Sequence, residues 1–544
     1  LTVNKLSRII APVTSHPLKL DSPPQPGSSL VVNASSLTLD LPRPPRLFYR
    51  HGWQSWSLAA WTDLTPLPIQ RPKILHPLQT DPRYANETSP HGSWVGAVEL
   101  GDDDILLLGS LDLDAHVWLK ENQFEGAALS VSKGQHEADG CDWFIARGDE
   151  VSVFTKYAAE LAIRLGKKTD KPAPRVWCSW YSLYTSIDEE ILFRVFDELN
   201  DLPFDVLQVD DGWQTSIGDW EANEKFPSGM NALAERIKST GRKAGLWLAP
   251  LIAVKSSRLF RKHPDWFLRD EHGKFVSAGF NWGEQLYALD TTHPDVTIWL
   301  SALMQQVRAW GFDYLKLDFL YAGALPGKRF ADMPREAAYR QALKTMREAM
   351  GHDTYFLACG APILPSLGLC DALRVGPDVS AKWEDPRDAA LLYNFTTPGA
   401  RNAVRTTVSR LWLQPLVAID PDVVYFTEKE NSLSPEHKQL LQDLALICNF
   451  KAISDLPQWM TNDERETLRE FLTASPQVKR LSRATFQIDD RSVDFSSALA
   501  LPHPPLGLTR IPAALLGWLG NQPFALKLFN RMNKASFTRR RKKL

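Results

Sequence analysis

From residue 176 to residue 359 the chain alternates strand-like and helix-like stretches, and that alternation sets the class of fold open to it. Apolar β-type runs stand at 176–181, 206–210, 243–248, 314–318 and 354–359. Helical stretches separate them at 188–200, 232–240, 297–310 and 335–350. In the first of these helices Ile191, Leu192, Val195, Phe196 and Leu199 recur at the 3.6-residue period of one buried face. Strands that alternate with helices join as parallel βα units, because a parallel partner is reached only by a crossover. Roughly 280 residues of this pattern, 172–455, suit a (β/α)8 TIM barrel. No GxGxxG follows the first strand, which weakens a doubly wound sheet.

The flanks read differently. Residues 1–171 carry short β-type runs at 30–32, 36–41, 98–100, 105–109 and 151–154 between Gly, Asp and Pro, the pattern of a β-sandwich. The segment 51–57, with Trp53 and Trp56 beside Gly and Ser, reads as a loop that presents an indole. A charged stretch with two prolines, 167–174, places the boundary near 171. Beyond the barrel, 456–510 reads as a small C-terminal β domain, a helix at 463–472 followed by strands at 484–488 and 492–495. The last segment, 511–544, is amphipathic and ends in Arg539, Arg540, Arg541, Lys542 and Lys543. A frayed terminus is the first expectation for it, membrane contact the lesser one.

Composition removes several classes. Lys and Arg number 62 against 64 Asp and Glu, a balance that argues against a nucleic-acid binder. Five scattered cysteines make no disulfide scaffold, and without CxxC or HExxH no metal site or cofactor is expected. No run of 18 apolar residues and no leader is visible, so a cytoplasmic location is expected. The 19 tryptophans suit a core, and equally the apolar face of a sugar ring.

The informative polar residues are acids at strand ends, where a βα barrel keeps its reactive groups. Asp210 and Asp211 end the second strand, Asp318 ends the fourth, and Asp378 follows Arg374-Val375-Gly376-Pro377. Lys316 and Asp318 are two apart and share a strand face, so the cation favours an ionised Asp318, suited to be a nucleophile. A less polar setting would keep Asp378 protonated as an acid. Two carboxyls across a sugar serve glycoside hydrolysis, although each Asp taken singly also reads as a helix cap. Trp247 reads as a sugar floor or as barrel packing. Arg374 reads as a substrate ligand or a loop anchor. Cys359 and Gly360 leave little bulk near a ligand, or Cys359 is a small core residue.

Taken in order, Gly52-Trp53-Gln54-Ser55-Trp56, Val209-Asp210-Asp211-Gly212-Trp213, Gly245-Leu246-Trp247, Tyr314-Leu315-Lys316-Leu317-Asp318-Phe319, Cys359-Gly360-Ala361-Pro362 and Arg374-Val375-Gly376-Pro377-Asp378 resemble the α-galactosidases of glycoside hydrolase family 36. The resemblance implies an N-terminal β-supersandwich, a central (β/α)8 barrel and a C-terminal β domain. It implies a retaining double displacement on terminal α-D-galactosyl groups of melibiose or raffinose-type oligosaccharides, with no metal or cofactor. By the resemblance Asp318 is the nucleophile and Asp378 the acid/base. Asp210 and Asp211 bind galactose O4 and O6, and Lys316 reaches O3 and O4. Trp247 is the floor, Cys359 and Gly360 lie near O2, and Arg374 is a sugar-site arginine. Trp53 or Trp56 leans over the mouth. The short C-terminal region and the basic tail depart from the family pattern. A chain of this length suits a monomer or small homo-oligomer. On the same fold, the alternatives are an α-galactosyl transferase and an α-N-acetylgalactosaminidase. Outside enzymes, they are a non-catalytic sugar-binding barrel and a scaffold working through its tail.

Overall fold

Leu37 and Leu39 are buried while their strand neighbours Ser36, Thr38 and Asp40 are half-buried, the two-residue period of a strand with one face turned inward. In the computed structural model this strand belongs to a five-stranded sheet, ordered Leu18–Leu20, Ser36–Asp40, Gln123–Ala128, Ala115–Lys120 and His91–Ser93. The structure describes residues 16–64, 80–85, 87–129, 140–385 and 395–501, with 515, 518, 519, 522, 524 and 528 beyond them. A six-stranded sheet built on Leu47–His51, Val95–Gly101, Asp104–Ser110 and Cys141–Gly148 faces the first. Leu39, Val117 and Phe124 of one sheet share an apolar cluster with Phe48, Leu106 and Trp143 of the other. Gly126 admits the Trp143 ring between them, since a Cβ there would meet it at 2.6 Å.

One expected strand is corrected. Residues 151–154 lie in the α-helix Glu150–Leu165, whose first turn is capped by Asp149 accepting from the Ser152 amide. Val153, Phe154, Tyr157, Ala158 and Leu161 are its buried face, so a helical period extending past Phe154 overrides the local β-branched preference.

The second half is built on a curled, parallel sheet of nine strand segments, with helices between most of them. Its order is Ala418–Asp420, Ala372–Arg374, Tyr355–Ala358, Tyr314–Leu317, Lys243–Leu248, Val206–Val209, Arg175–Cys178, Lys451–Ile453 and Val423–Val424. The first and last segments of that order are separated in the chain only by Pro421 and Asp422. The strands are buried and mostly apolar, as parallel strands covered on both sides are, with Gln208 and Lys316 among the exceptions. Between the strand Lys243–Leu248 and its helix Pro294–Ala309 lies an excursion absent from the sequence reading. It is a three-stranded sheet of Ile252–Val254, Ser277–Asn281 and Glu284–Ala288.

The loop 52–57 is stitched onto the ends of the parallel strands. The Ser55 amide donates to Ala361 O at 2.9 Å, and Ser55 Oγ accepts from the Ala361 amide at 2.9 Å. The Ile363 amide donates to Trp53 O at 3.0 Å. Arg410, fully buried, donates to the carbonyls of Gly52, Gln54, Ser55 and Val375.

After the helix Asn462–Thr473, opened by a Thr461/Glu464 capping box, come the small antiparallel sheet Val478–Arg480, Thr485–Ile488 and Arg491–Asp494 and the short helix Ser496–Leu499. The basic run 539–543 lies outside the described residues. Among the described residues no helix is long and apolar enough to cross a membrane.

Arg410→Met would leave four buried carbonyls without their donor. We expect a loss of at least about 3 kcal/mol in urea unfolding, because each orphaned buried acceptor carries its own desolvation cost. A loss below about 1 kcal/mol would show that this guanidinium does not hold the loop in place.

Candidate active site

Alternation along each strand decides which polar groups meet. Gln208 and Asp210 share one face of their strand, and so do Lys316 and Asp318. The register pairs Trp247 with Lys316 and Arg374 with Asp420 across neighbouring strands. The result is a ring of charge at the carboxyl ends of the parallel strands.

Asp210 is buried and accepts from three donors. Its Oδ2 accepts from Lys316 Nζ at 2.9 Å and Gln208 Nε2 at 2.6 Å, and Oδ1 accepts from the Asp211 amide at 2.9 Å. Burial alone would drive the Lys316 ammonium towards neutrality, but the Asp210 carboxylate outweighs it and the Lys316 pKa ends well above its ordinary value. Asp211 points the other way. Gln214 Nε2 donates to its Oδ1 at 2.6 Å and Trp282 Nε1 to its Oδ2 at 2.6 Å. Burial still pushes the Asp211 pKa up to about 6, against the pull of those two donors and with a further push from Asp210.

Asp318 is held in a plane by two donors, Trp247 Nε1 to Oδ2 at 3.0 Å and the Phe319 amide to Oδ1 at 2.7 Å. Phe319 adopts φ 53°, ψ 28°, a left-handed conformation uncommon for a large side chain. Gly360 follows the next strand at φ 52°, and a Cβ there would lie 3.0 Å from the Phe319 amide, 3.1 Å from the Trp56 ring and 3.2 Å from Asp318 Oδ1. These four residues therefore meet at one point.

Arg374 is the second buried cation. It donates to Asp420 Oδ2 at 2.9 Å, contacts Asp422 Oδ2 at 2.8 Å and reaches Asp378 Oδ1 at 3.5 Å. Burial opposes its charge, yet Asp420 and Asp422 hold its pKa well above the ordinary value. The Asp378 side chain keeps 34% of its surface open. Burial of its carboxyl is nevertheless the first cause that pushes its pKa up to about 7, the charge of Asp422 the second and that of Asp318 a further one, against Arg374 and Lys316. Burial raises Asp422 as well, with a further push from the Asp420 charge and against the pull of Arg374. The buried Cys359 thiol is also raised, by burial first, and it lies near enough to Asp318, Arg374, Lys316 and Asp378 to feel their charges.

Of the two N-terminal indoles, Trp56 stands beside Gly360 and Phe319, next to Asp318. Its ring meets Phe319 edge-on at 5.1 Å, and its buried indole N–H finds no partner among the described residues. Trp53 is 1% exposed, edge-on to Tyr321 at 6.2 Å and beneath Arg335. Gln208, Gln214, Trp282, Asp420, Asp422 and Tyr181 were not foreseen. Tyr181 OH donates to Asp422 Oδ2. Gln208 was within reach, two residues before Asp210 on the same strand face, as was the strand-end pair Asp420 and Asp422. Among the described residues no group of three or more His, Cys, Asp or Glu side chains could hold a metal ion.

A family profile described as Melibiase matches residues 151–349. The structure of TtGalA, an α-galactosidase from Thermus thermophilus, in complex with p-nitrophenyl α-D-galactopyranoside, superposes with a TM-score of 0.80 at 45% identity, over 86% of this chain and 94% of that one. The same protein in complex with stachyose superposes at 0.76 and 47%, over 81% and 94%. The α-galactosidase AgaA from Geobacillus stearothermophilus is 28% identical over 197 residues, 34% of this chain and 26% of that protein. The match thus spans about a quarter of that curated relative's length. AgaA's crystal structure, described as GH36, shares the fold at a TM-score of 0.57 and 16% identity, over 82% of this chain and 63% of that one.

Lys316→Met leaves Asp210 as an uncompensated buried charge, and we expect it to cost about 3–5 kcal/mol in urea unfolding. Adding Asp210→Asn should recover most of that loss. If the double variant is as unstable as the sum of the two singles, the pair is not coupled as the 2.9 Å contact implies.

Proposed function

The chain belongs to the α-galactosidases of glycoside hydrolase family 36, and from that premise we propose that it is a retaining α-galactosidase acting on terminal α-D-galactosyl groups of oligosaccharides. The observation that supports this reading is a pair of unlike carboxyls, Asp318 and Asp378, near enough for the charge of the first to act on the second. Asp318 is fixed by two N–H donors, and Asp378 is raised to about 7 with the Asp318 charge among its causes.

The chemistry follows from that difference. Asp318 attacks the anomeric carbon as Asp378 gives its proton to the leaving glycosidic oxygen, and a β-linked galactosyl ester forms. Esterification removes the Asp318 charge, one of the causes raising Asp378. The Asp378 pKa then falls, and its carboxylate takes a proton from water, whose attack returns the α anomer. Asp210 and Asp211 take O4 and O6. An equatorial O4 would leave a buried carboxylate without its donor, which selects the axial sugar. Lys316 serves O3 and O4, Trp247 the apolar face, and Trp56 the leaving-group side. Crowding at Gly360 by Trp56, Phe319 and Asp318 leaves poor room for an acetamido group at C2, which favours galactose over N-acetylgalactosamine.

For architecture, we read the nine parallel segments as a closed (β/α)8 barrel over 172–455. Ala418–Asp420 and Val423–Val424 would be one strand interrupted at Pro421 and Asp422. The β-sandwich of 1–171 stands before it and the small domain of 456–510 behind it. Five unpaired, buried cysteines suit a reducing compartment such as the cytoplasm. A monomer or small homo-oligomer remains our reading of assembly.

Hydrolysis of p-nitrophenyl α-D-galactopyranoside tests the activity, and the sugar first released should be the α anomer by NMR. Asp318→Ala should lower kcat by about 10⁴-fold or more. Because the first step needs protonated Asp378, kcat/KM should fall as pH rises through about 7. Asp422→Asn removes a charge that raises Asp378, so this limb should move to lower pH. A limb left in place by Asp378→Asn, or β-galactose as first product, would defeat the scheme.

A further inference from the structure

The hairpin Ser277–Asn281 and Glu284–Ala288 carries a residue that the mechanism above leaves without a role. Asn281 pairs with Glu284, so the turn consists of Trp282 and Gly283 alone. Both have positive φ, 51° and 81°, as in the tight turn that ordinarily takes Asn or Asp followed by Gly. A tryptophan in that position is strained, and an indole needed only for packing could sit on an unstrained residue. The hairpin is anchored where strain could be tolerated. Ser256 Oγ donates to Glu284 Oε1 at 2.5 Å, and Tyr321 OH donates to Ala278 O.

The strained indole has two sets of neighbours. It lies 6.2 Å from the Trp247 ring and 5.3 Å from the Phe319 ring, and its N–H donates to Asp211 Oδ2 at 2.6 Å, all three being residues read above as part of the sugar site or next to it. It also lines an open cleft of about 520 Å³, which Asp211 and Gln214 border too. The rest of that cleft is largely polar, with Thr215, Ser216, Asn223, Lys225, Ser256 and Glu284 on its walls. Asp211 and Trp282 thus touch each other, and both line this cleft.

We propose that Trp282 is a specificity-determining wall at the O6 end of the galactosyl pocket, closing it off from the adjoining polar cleft and restricting the enzyme to galactosyl groups without a substituent on O6. The inference rests on the reading of Asp211 as a ligand of galactose O6 and O4. It adds what that reading lacks, a reason why a polar cleft of sugar size next to O6 does not admit a longer, 6-substituted chain.

The test uses the full chain with two substrates, p-nitrophenyl α-D-galactopyranoside and its 6-O-methyl derivative. The measured quantity is the ratio of their kcat/KM values. Trp282→Asn suits the left-handed turn and keeps the hairpin, which an unchanged Tm verifies. It should lower the ratio by about tenfold or more as the methyl group gains the cleft. Trp282→Phe keeps a ring but loses the N–H donor. It should hold the ratio within about threefold of the parent, while the acid limb of kcat/KM moves to higher pH because Asp211 has lost a group favouring its ionised form. A parallel Asp211→Asn variant should lose about 100-fold in kcat/KM on the unmethylated substrate. If that loss is seen and Trp282→Asn leaves the ratio within about twofold of the parent, the wall is refuted and the Asp211 reading stands. If Asp211→Asn costs nothing, the Asp211 reading fails and the wall falls with it.

Discussion

Two buried cations hold four carboxyl groups at the ends of the parallel strands. Lys316 pairs with Asp210, and Arg374 with Asp420, Asp422 and Asp378, while Asp211 and Asp318 are held by neutral N–H donors, and the low-polarity surroundings make an excess of negative charge expensive. The site relieves that excess in two ways. Oriented neutral donors, the indoles of Trp247 and Trp282 and the amides of Gln208 and Gln214, reach the carboxylates that the cations do not fully satisfy. The affinity for protons also rises, and Asp211, Asp378 and Asp422 all lie above the ordinary carboxylate value, burial being the first cause in each. The same crowding that would destabilise a fully ionised site is what supplies an acid at neutral pH.

Such a site depends on rigid surroundings, and the N-terminal sheets contribute part of them. Arg410 and the Ser55–Ala361 pair fasten the loop 52–57 across the strand ends, which fixes Trp56 against Gly360 and Phe319. Tyr49 OH accepts from Trp412 Nε1 at 3.0 Å and donates to Ser409 O at 2.8 Å, so the six-stranded sheet meets the end of the helix Ala400–Ser409 and the turn after it through satisfied polar contacts as well as apolar ones. Trp56 is therefore positioned by two parts of the chain more than 300 residues apart in sequence.

Much of this was legible in the sequence because strand and helix periods are local signals. Asp210, Lys316 and Asp318 fall where alternation and strand ends place them, and the helix 335–350 has the bounds its pattern gives. The helix Glu150–Leu165 was misread because Val151-Ser152-Val153-Phe154 has β preference in isolation. Its helical face becomes visible only with Tyr157, Ala158 and Leu161. Trp282 escaped because a turn of two residues with positive φ ordinarily advertises itself by Asn or Asp, and here an indole occupies that place. Arg410 escaped because its partners are backbone carbonyls, which leave no trace in residue type.

The retained proton on Asp378 is the feature on which the chemistry turns, and difference infrared spectroscopy of the protonated-carboxyl band reads it directly. Titrated from about pH 5 to about pH 9, the parent protein should lose a band component with a midpoint near 7, and Asp378→Asn should lack that component. A titration identical in the two proteins, or no protonated carboxyl above about pH 5 in the parent, would contradict the account.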